Sequence, residues 1–207
     1  MESLLSQICK ARSGLRSSET RVVTQDGRET VEKRQADGST RVLSSSVRPW
    51  GFVGDLKPDM QLAEVIPQLY LGSQDPASEL HLLKSNSITH IVNVATFVPN
   101  YFPENFEYLQ IDMLDVPSQD LLAHLPRCVD FIGKAIAKGG RVFVHCNAGV
   151  SRSSSVVIAY LMKTLGITYE QALHRTRAAR LCARPNDGFA RQLKAYDKQL
   201  RLEKGKL

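Results

Sequence analysis

From about Gln61 the chain alternates short apolar blocks with longer stretches of helical period. Ala63 to Ile66 and Leu69 to Leu71 read as short strands around Pro67. Asp75 to Lys84 reads as a helix, with Leu80, Leu82 and Leu83 on or near its inner side. Ile88 to Ala95 is a nearly continuous run rich in β-branched residues, the pattern of a strand buried on both faces. Phe106 to Ile111 reads as another strand. Leu121 to Ala137 has helical period, with Leu125, Val129, Ile132 and Ile136 on one face. Pro126 either opens that helix at its first turn or kinks it. Gly139 and Gly140 stop it, and Arg141 to His145 is a short apolar strand. Ser153 to Leu165 is apolar on most sides, which predicts a buried helix with Gly166 at its C-terminal cap. Thr168 and Gln171 form a capping box for a helix over Tyr169 to Arg180. Asn186 and Asp187 can cap a last helix in which Phe189, Leu193, Tyr196 and Leu200 share a face.

Strands that alternate with helices predict an α/β domain with a mostly parallel central sheet flanked by helices on both faces. In such sheets the ligand crevice lies beyond the carboxyl ends of the strands. Residues 1–60 have a different texture, rich in Ser, Arg, Thr and Glu and poor in large apolar side chains. Thr20 to Gln25 and Arg28 to Lys33 flank Asp26-Gly27, a hairpin signal, and Asp37-Gly38 precedes Ser39 to Leu43. A small β-meander and a flexible arm both fit. Arg48 to Pro58, punctuated by Pro49, Gly51, Gly54 and Pro58, reads as a linker or an edge element. The expected division is a variable segment over 1–60 and the α/β domain over 61–203.

Composition narrows the function classes. Hydrophobic residues at 43% and charged residues at 23% suit a folded, soluble chain. The longest apolar run, around Val156 to Met162, is too short to span a bilayer, and the first residues lack the pattern of a signal peptide. The net charge of +6 is spread along the chain, with ten Lys and Arg against eight Asp and Glu in residues 1–60. That surplus suits an anionic ligand and is not the dense basic stripe of a nucleic-acid binder. Cys9, Cys128, Cys146 and Cys182 are widely spaced, none pairs at metal-ligand spacing, and the five His do not cluster with them. The expectation is a reduced chain in the cytoplasm, with the nucleus also open to it.

The chemistry concentrates after Arg141 to His145. There the chain reads His145-Cys146-Asn147-Ala148-Gly149-Val150-Ser151-Arg152-Ser153, and a helix follows at once. A strand, loop and helix in this order aim loop amides and the positive helix end at one point. Consecutive inward N–H groups from Asn147 to Arg152 make a nest for an oxyanion. Gly149 lets the loop turn tightly, and Arg152 can grip two phosphate oxygens with its planar fork. The features that bind a phosphate dianion also stabilise a thiolate on Cys146 at the floor. Such a thiolate can attack phosphorus and form a phosphocysteine intermediate. The Ser153 hydroxyl stands where it can donate to the sulfur and ease its departure. His145 orients the loop rather than exchanging protons. A buried structural thiol is the competing account of Cys146.

The string from His145 to Ser153 resembles the HCxxGxxRS signature of the cysteine-based protein tyrosine and dual-specificity phosphatases. The resemblance runs over about Glu64 to Tyr196, through LYLGS at 69–73, THIVNVA at 89–95, Phe131-Ile132 and the stretch from Pro185 to Leu193. It implies the protein tyrosine phosphatase-like fold and membership of the small, atypical dual-specificity group. It implies a general acid upstream of the nucleophile, at Asp115, with Asp112 and Asp120 as rivals. It implies that Asn186 braces the phosphate loop, although Asn186 also reads as a plain helix cap. Many relatives carry Pro where this chain has Leu181, which leaves the shape of that loop open. The expected activity is hydrolysis of phosphotyrosine and phosphoserine or phosphothreonine in proteins, with no metal or organic cofactor. The expected partner is a phosphoprotein, among them a kinase of the stress and MAP kinase pathways, with no nucleic acid and no membrane. The alternatives are a phosphoprotein-binding module with little turnover and a phosphatase for phosphoinositides or RNA 5′ phosphates. The uncharged Asn147, Ala148, Val150 and Ser151 disfavour the polyanionic substrates.

Overall fold

The structure is a computed structural model that describes residues 19–23, 28–34, 39–47 and 58–204. Asp26-Gly27, Asp37-Gly38, Cys9 and the linker over 48–57 lie outside the described residues. The chain divides into two compact units, Met1–Leu56 and Lys57–Leu207.

In the first unit β1 (Glu19–Val23), β2 (Arg28–Arg34) and β3 (Thr40–Val47) form an antiparallel sheet in the order β1-β2-β3. This is the meander of the two readings. The register shifts between Val31 and Glu32, where β2 meets β3. Val42 and Leu43 are exposed.

The second unit holds a five-stranded sheet in the order β4-β5-β8-β6-β7. Its strands are β4 (Ala63–Ile66), β5 (Leu69–Gly72), β6 (His90–Asn93), β7 (Glu107–Gln110) and β8 (Val142–His145). β4 is the one antiparallel strand, folded onto β5 through a turn at Pro67-Gln68. Its helices are α1 (Gln74–Ala77), α2 (Leu80–Ser85), α3 (Leu125–Ala137), α4 (Arg152–Leu165), α5 (Tyr169–Ala179) and α6 (Asp187–Lys204). Alternate strand residues serve two cores, as the two-residue period of a strand requires. Leu69, Leu71, Val92, Val142 and Val144 face the core built with α3 to α6. Tyr70, Ile91 and Phe143 face a smaller core with Ala77 and Leu83 from α1 and α2. Both faces of the sheet are thus covered, which is why β8 is buried at every position.

Several elements are shorter than the sequence pattern predicts. The helix expected over Asp75 to Lys84 is two short helices that break at Ser78-Glu79. The Ser78 hydroxyl donates to the Asp75 carbonyl, 2.8 Å, and closes the first helix. The strand expected over Ile88 to Ala95 pairs only over His90–Asn93, although Ile88, Val94 and Ala95 are buried. α3 starts at Leu125, not Leu121, and Pro126 sits in its first turn, so the proline opens the helix without kinking it. Gly166 takes the left-handed conformation at the end of α4, and the capping box of Thr168 and Gln171 is formed.

Gly72 lies opposite His145, and His145 lies opposite Asn93, so β5, β8 and β6 end in register. The loops that leave these strands therefore start from one line across the sheet.

Candidate active site

The loop that follows β8 owes its shape to what holds its carbonyls. The Asn147 carbonyl accepts the Gln74 amide at 2.9 Å. The Ala148 and Gly149 carbonyls accept the Arg180 guanidinium at 2.8 and 2.7 Å. The Val150 carbonyl accepts the Arg184 amide at 2.8 Å, and the Ser154 hydroxyl as well. The Ser151 carbonyl accepts the Ser155 amide at 2.9 Å inside α4. In a trans peptide the C=O and the next N–H point opposite ways. Carbonyls drawn outward from Asn147 to Ser151 therefore turn the amides of Ala148 to Arg152 inward. Gly149 has φ +66°, and a Cβ there would lie 2.5 Å from the Gly72 carbonyl and 2.8 Å from Arg180 Nη2. Only glycine fits this crossing of β5, the loop and Arg180.

Cys146 is buried at the floor. Its Sγ accepts the Gly149 amide at 3.3 Å and lies 3.2 Å from Ser153 Oγ. Ser153 belongs to the first turn of α4, where backbone N–H groups lack intrahelical partners and the helix end is positive. Ser151, the N-cap, makes no capping hydrogen bond. Its hydroxyl instead donates to Asp115 Oδ1 at 2.7 Å and accepts the Asn186 amide at 3.1 Å.

Arg152 arches over the loop with a side chain 11% exposed. Nη2 donates to Asn147 Oδ1 at 2.6 Å and Nη1 to the Met113 carbonyl at 3.1 Å. Nε faces Asp115 Oδ2 at 3.6 Å and makes no hydrogen bond. A partly buried guanidinium whose enclosed Nε is an unspent donor, above a ring of inward amides, is a cradle for a tetrahedral oxyanion.

Asp115 is brought to this cradle from the loop after β7. Asn186 Nδ2 joins Ser151 on Oδ1, at 2.8 Å. Asn186 Oδ1 meanwhile accepts the Phe189 amide at 2.9 Å, so this residue caps α6 and steadies the carboxylate together. Its expected grip on the phosphate loop is a single bond, from its own amide to Ser151. Asp112 is exposed, and Asp120 Oδ1 accepts the Ala123 amide in the turn before α3. Among the described residues, neither rival carboxylate hydrogen-bonds to the cradle. The loop is fixed at its far end by Gln192, which accepts the Leu121 amide at 2.8 Å and donates to the Gln119 carbonyl at 2.8 Å.

His145 is fully buried. Nδ1 lies 3.4 Å from the Cys146 carbonyl, and the ring stacks on Phe143 with centroids 5.5 Å apart. Burial outweighs the Cys146 carbonyl contact and pushes its pKa down to about 4, so the ring is neutral at working pH. A neutral, enclosed imidazole is thus packed at the end of the strand. The other free cysteines differ in setting. Burial pushes the Cys128 thiol up to about 12 in the core, and Cys182 is exposed. Among the described residues no group of three or more His, Cys, Asp or Glu could hold a metal ion.

Arg180 is not among the expected site residues, since nothing in the helical period sets it apart, yet its side chain is wholly buried against the loop. Leu181, where relatives carry Pro, is 90% exposed. The side chain at this departure points into solvent, and the turn around it is closed by the Ala183 amide on the Arg180 carbonyl at 2.9 Å.

Residues 69–199 match the family model for the dual specificity phosphatase catalytic domain. Dual specificity protein phosphatase 19 of Mus musculus is 42% identical over 197 residues, covering 93% of this chain and 89% of that protein. Slingshot homolog 3 of Mus musculus is 45% identical over 134 residues, covering 65% of this chain but only 21% of that protein. The crystal structure of the human tyrosine phosphatase-like serine/threonine/tyrosine-interacting protein superposes with a TM-score of 0.65. It is 36% identical and covers 68% of this chain and 97% of that one.

Proposed function

The chain belongs to the dual-specificity phosphatase family and is a protein tyrosine/serine/threonine phosphatase; from that premise we propose that Cys146 carries the phosphoryl group between two half-reactions. In the first, the Cys146 thiolate attacks phosphorus while the bond to the leaving phenolate or alkoxide breaks. The departing oxygen takes its electron pair and a proton from Asp115. In the second, water attacks the phosphocysteine, Asp115 accepts a proton from that water, and the S–P bond breaks. The thiolate returns, eased by the Ser153 hydroxyl at 3.2 Å.

The observation that carries this reading is the sulfur's position. It accepts one loop amide, while the carbonyls from Asn147 to Ser151 are all bound from outside the ring. His145, Asn147, Ala148, Gly149, Val150 and Ser151 shape the cradle, and Arg152 together with the amides steadies the equatorial oxygens as charge builds. Each such donor is worth about 10²–10³ in rate in comparable sites. Because Ser151 and Asn186 both donate to Oδ1 of Asp115, Oδ2 is the oxygen left to carry the proton.

One fold neighbour is named as phosphatase-like and interacting, so likeness of fold alone does not separate turnover from binding. The presence of Cys146, Arg152 and Asp115 together supports turnover. The uncharged side chains at Asn147, Ala148, Val150 and Ser151 support a phosphoprotein over a polyanionic lipid or RNA end. The narrower proposal, a kinase of the MAP kinase pathways as substrate, rests on the sequence resemblance. The test is Cys146→Ser assayed on phosphotyrosyl and phosphothreonyl peptides. It is expected to bind them and not to turn them over. Wild-type turnover in that variant would refute the mechanism.

A further inference from the structure

Arg180 is the bulkiest of the fully buried side chains, and a lone guanidinium in that setting is costly. Its fork spends two donors on the phosphate loop, Nε on the Gly149 carbonyl and Nη2 on the Ala148 carbonyl. The remaining bonds lead away from the loop. Nη2 meets Asp59 Oδ2 at 2.5 Å, and Nη1 donates to Gln61 Oε1 at 3.2 Å. Both partners precede β4 and lie before residue 69, where the family match begins.

Asp59 does more than neutralise Arg180. Its own amide donates to Asp75 Oδ2 at 2.9 Å, and its carbonyl accepts Ser73 Oγ at 3.0 Å. Ser73 in turn caps α1 through the Asp75 amide at 3.1 Å. The next residue, Gln74, donates its amide to the Asn147 carbonyl at 2.9 Å. The path therefore closes on itself. It runs from the Asn147 carbonyl through Gln74, Ser73 and Asp75 to Asp59, then through Arg180 to the Ala148 and Gly149 carbonyls. Three consecutive carbonyls on the back of the loop are held from one point.

We propose that Asp59 and Arg180 are positioning residues for the phosphate cradle: Asp59 ties the α1 turn to the Arg180 fork, and the pair keeps the loop carbonyls out and the amides in. This inference rests on the assignment of the cradle to phosphate. Neither residue touches substrate; both act through the loop. The Asp59 carboxylate is held below its ordinary range, because hydrogen bonds from Arg180 and the Gln61 amide and the Arg180 charge outweigh the raising effect of burial.

The sign of one effect separates this tie from a plain charge effect. Asp59→Ala removes a negative charge from the back of an anion site. Acting through space alone, that loss would tighten oxyanion binding. A loosened loop does the opposite. In the full chain, Asp59→Ala is expected to raise the inhibition constant for inorganic phosphate about tenfold and to lower kcat/KM on a phosphotyrosyl peptide about tenfold, the scale of one lost charge-assisted hydrogen bond. Arg180→Lys keeps the charge but cannot span both carbonyls, and is expected to lose at least as much. The double variant is expected to be no worse than Arg180→Lys alone, since Asp59 acts through Arg180. Asp59→Asn keeps an acceptor for the buried fork, guards against misfolding, and is expected to show a smaller loss in the same direction. Tighter or unchanged phosphate inhibition in Asp59→Ala or Asp59→Asn, or losses that multiply in the double variant, would overturn the tie. If phosphate did not compete with substrate in the wild-type protein, the cradle assignment itself would fall, and this inference with it.

Discussion

The buried His145 makes the stability of the second unit depend on pH in a window where few other groups act. Folded, the ring holds its proton only below about 4; unfolded, it takes one below the ordinary 6.5. The folded pKa is the lower one, so the stability is intact above 6.5 and is lost as pH falls toward 4. Between those limits the unfolded chain binds one more proton, which removes about 1.4 kcal/mol per pH unit. The whole interval is therefore worth about 3 kcal/mol, and the part above pH 5 about 2 kcal/mol. That is a large share of the roughly 5–15 kcal/mol that holds a domain folded. Urea unfolding followed by far-ultraviolet circular dichroism reports the helices, which among the described residues all lie in the second unit. Comparing about pH 7.5 with about pH 5 keeps clear of most carboxylate titration. The wild type is expected to lose about 2 kcal/mol over that range. His145→Gln cannot titrate, so its profile subtracts the contribution of the other four histidines. Equal slopes in the two proteins would refute the reasoning, because they would mean the ring is protonated in the folded state.

Other expectations follow from single contacts. Asp115→Asn keeps the bonds to Ser151 and Asn186 within reach but cannot give up a proton. It is expected to slow phosphoserine and phosphotyrosine peptides by about 10²–10⁴ and p-nitrophenyl phosphate far less, since that leaving group departs unprotonated. Gly188 packs so closely on the acid loop that a Cβ would lie 2.0 Å from the Pro117 carbonyl. Gly188→Ala is therefore expected to shift Asp115 and cut turnover of poor leaving groups, while the rate of Cys146 carboxymethylation stays at the wild-type value. Leu181 follows the extended Arg180 and occupies the first inner position of a turn closed by the Ala183 amide on the Arg180 carbonyl at 2.9 Å. Proline suits that position, so Leu181→Pro is expected to leave activity unchanged and to raise stability by about 0.4–1 kcal/mol in thermal unfolding.

The parts that could be read from the sequence are those decided by neighbours in the chain. The phosphate-binding string is nine consecutive residues, from the last of a strand to the second of a helix, so its chemistry is written locally. The capping box at Thr168 and the stop at Gly166 are local as well. What escaped the pattern is decided by distant partners. Leu80 to Leu83 lie wholly beyond the break at Ser78-Glu79 and do not mark it, while the start of the first helix is held by Asn147 on the Gln74 amide and Asp59 on the Ser73 hydroxyl. Leu121 and Leu122 extend the helical period of α3, yet Gln192 captures their amides and holds them in the acid loop. Arg180 meets Gly149 across 31 residues and Asp59 across 121. No periodicity marks a cation that will be buried by such pairings. For Asn186 both sequence readings were reasonable, and its main contact, the bond to Asp115, belonged to neither.

The posture of Arg152 bears on how the site meets and releases an anion. The guanidinium is docked on two neutral oxygens, Asn147 Oδ1 and the Met113 carbonyl. A dianion outbids neutral acceptors for this cation, so capture needs a small swing and no long search. Asn147 Oδ1 and the Met113 carbonyl are also the partners to which the fork can return once an anion leaves, so the wall that receives the substrate is the one that resets the site.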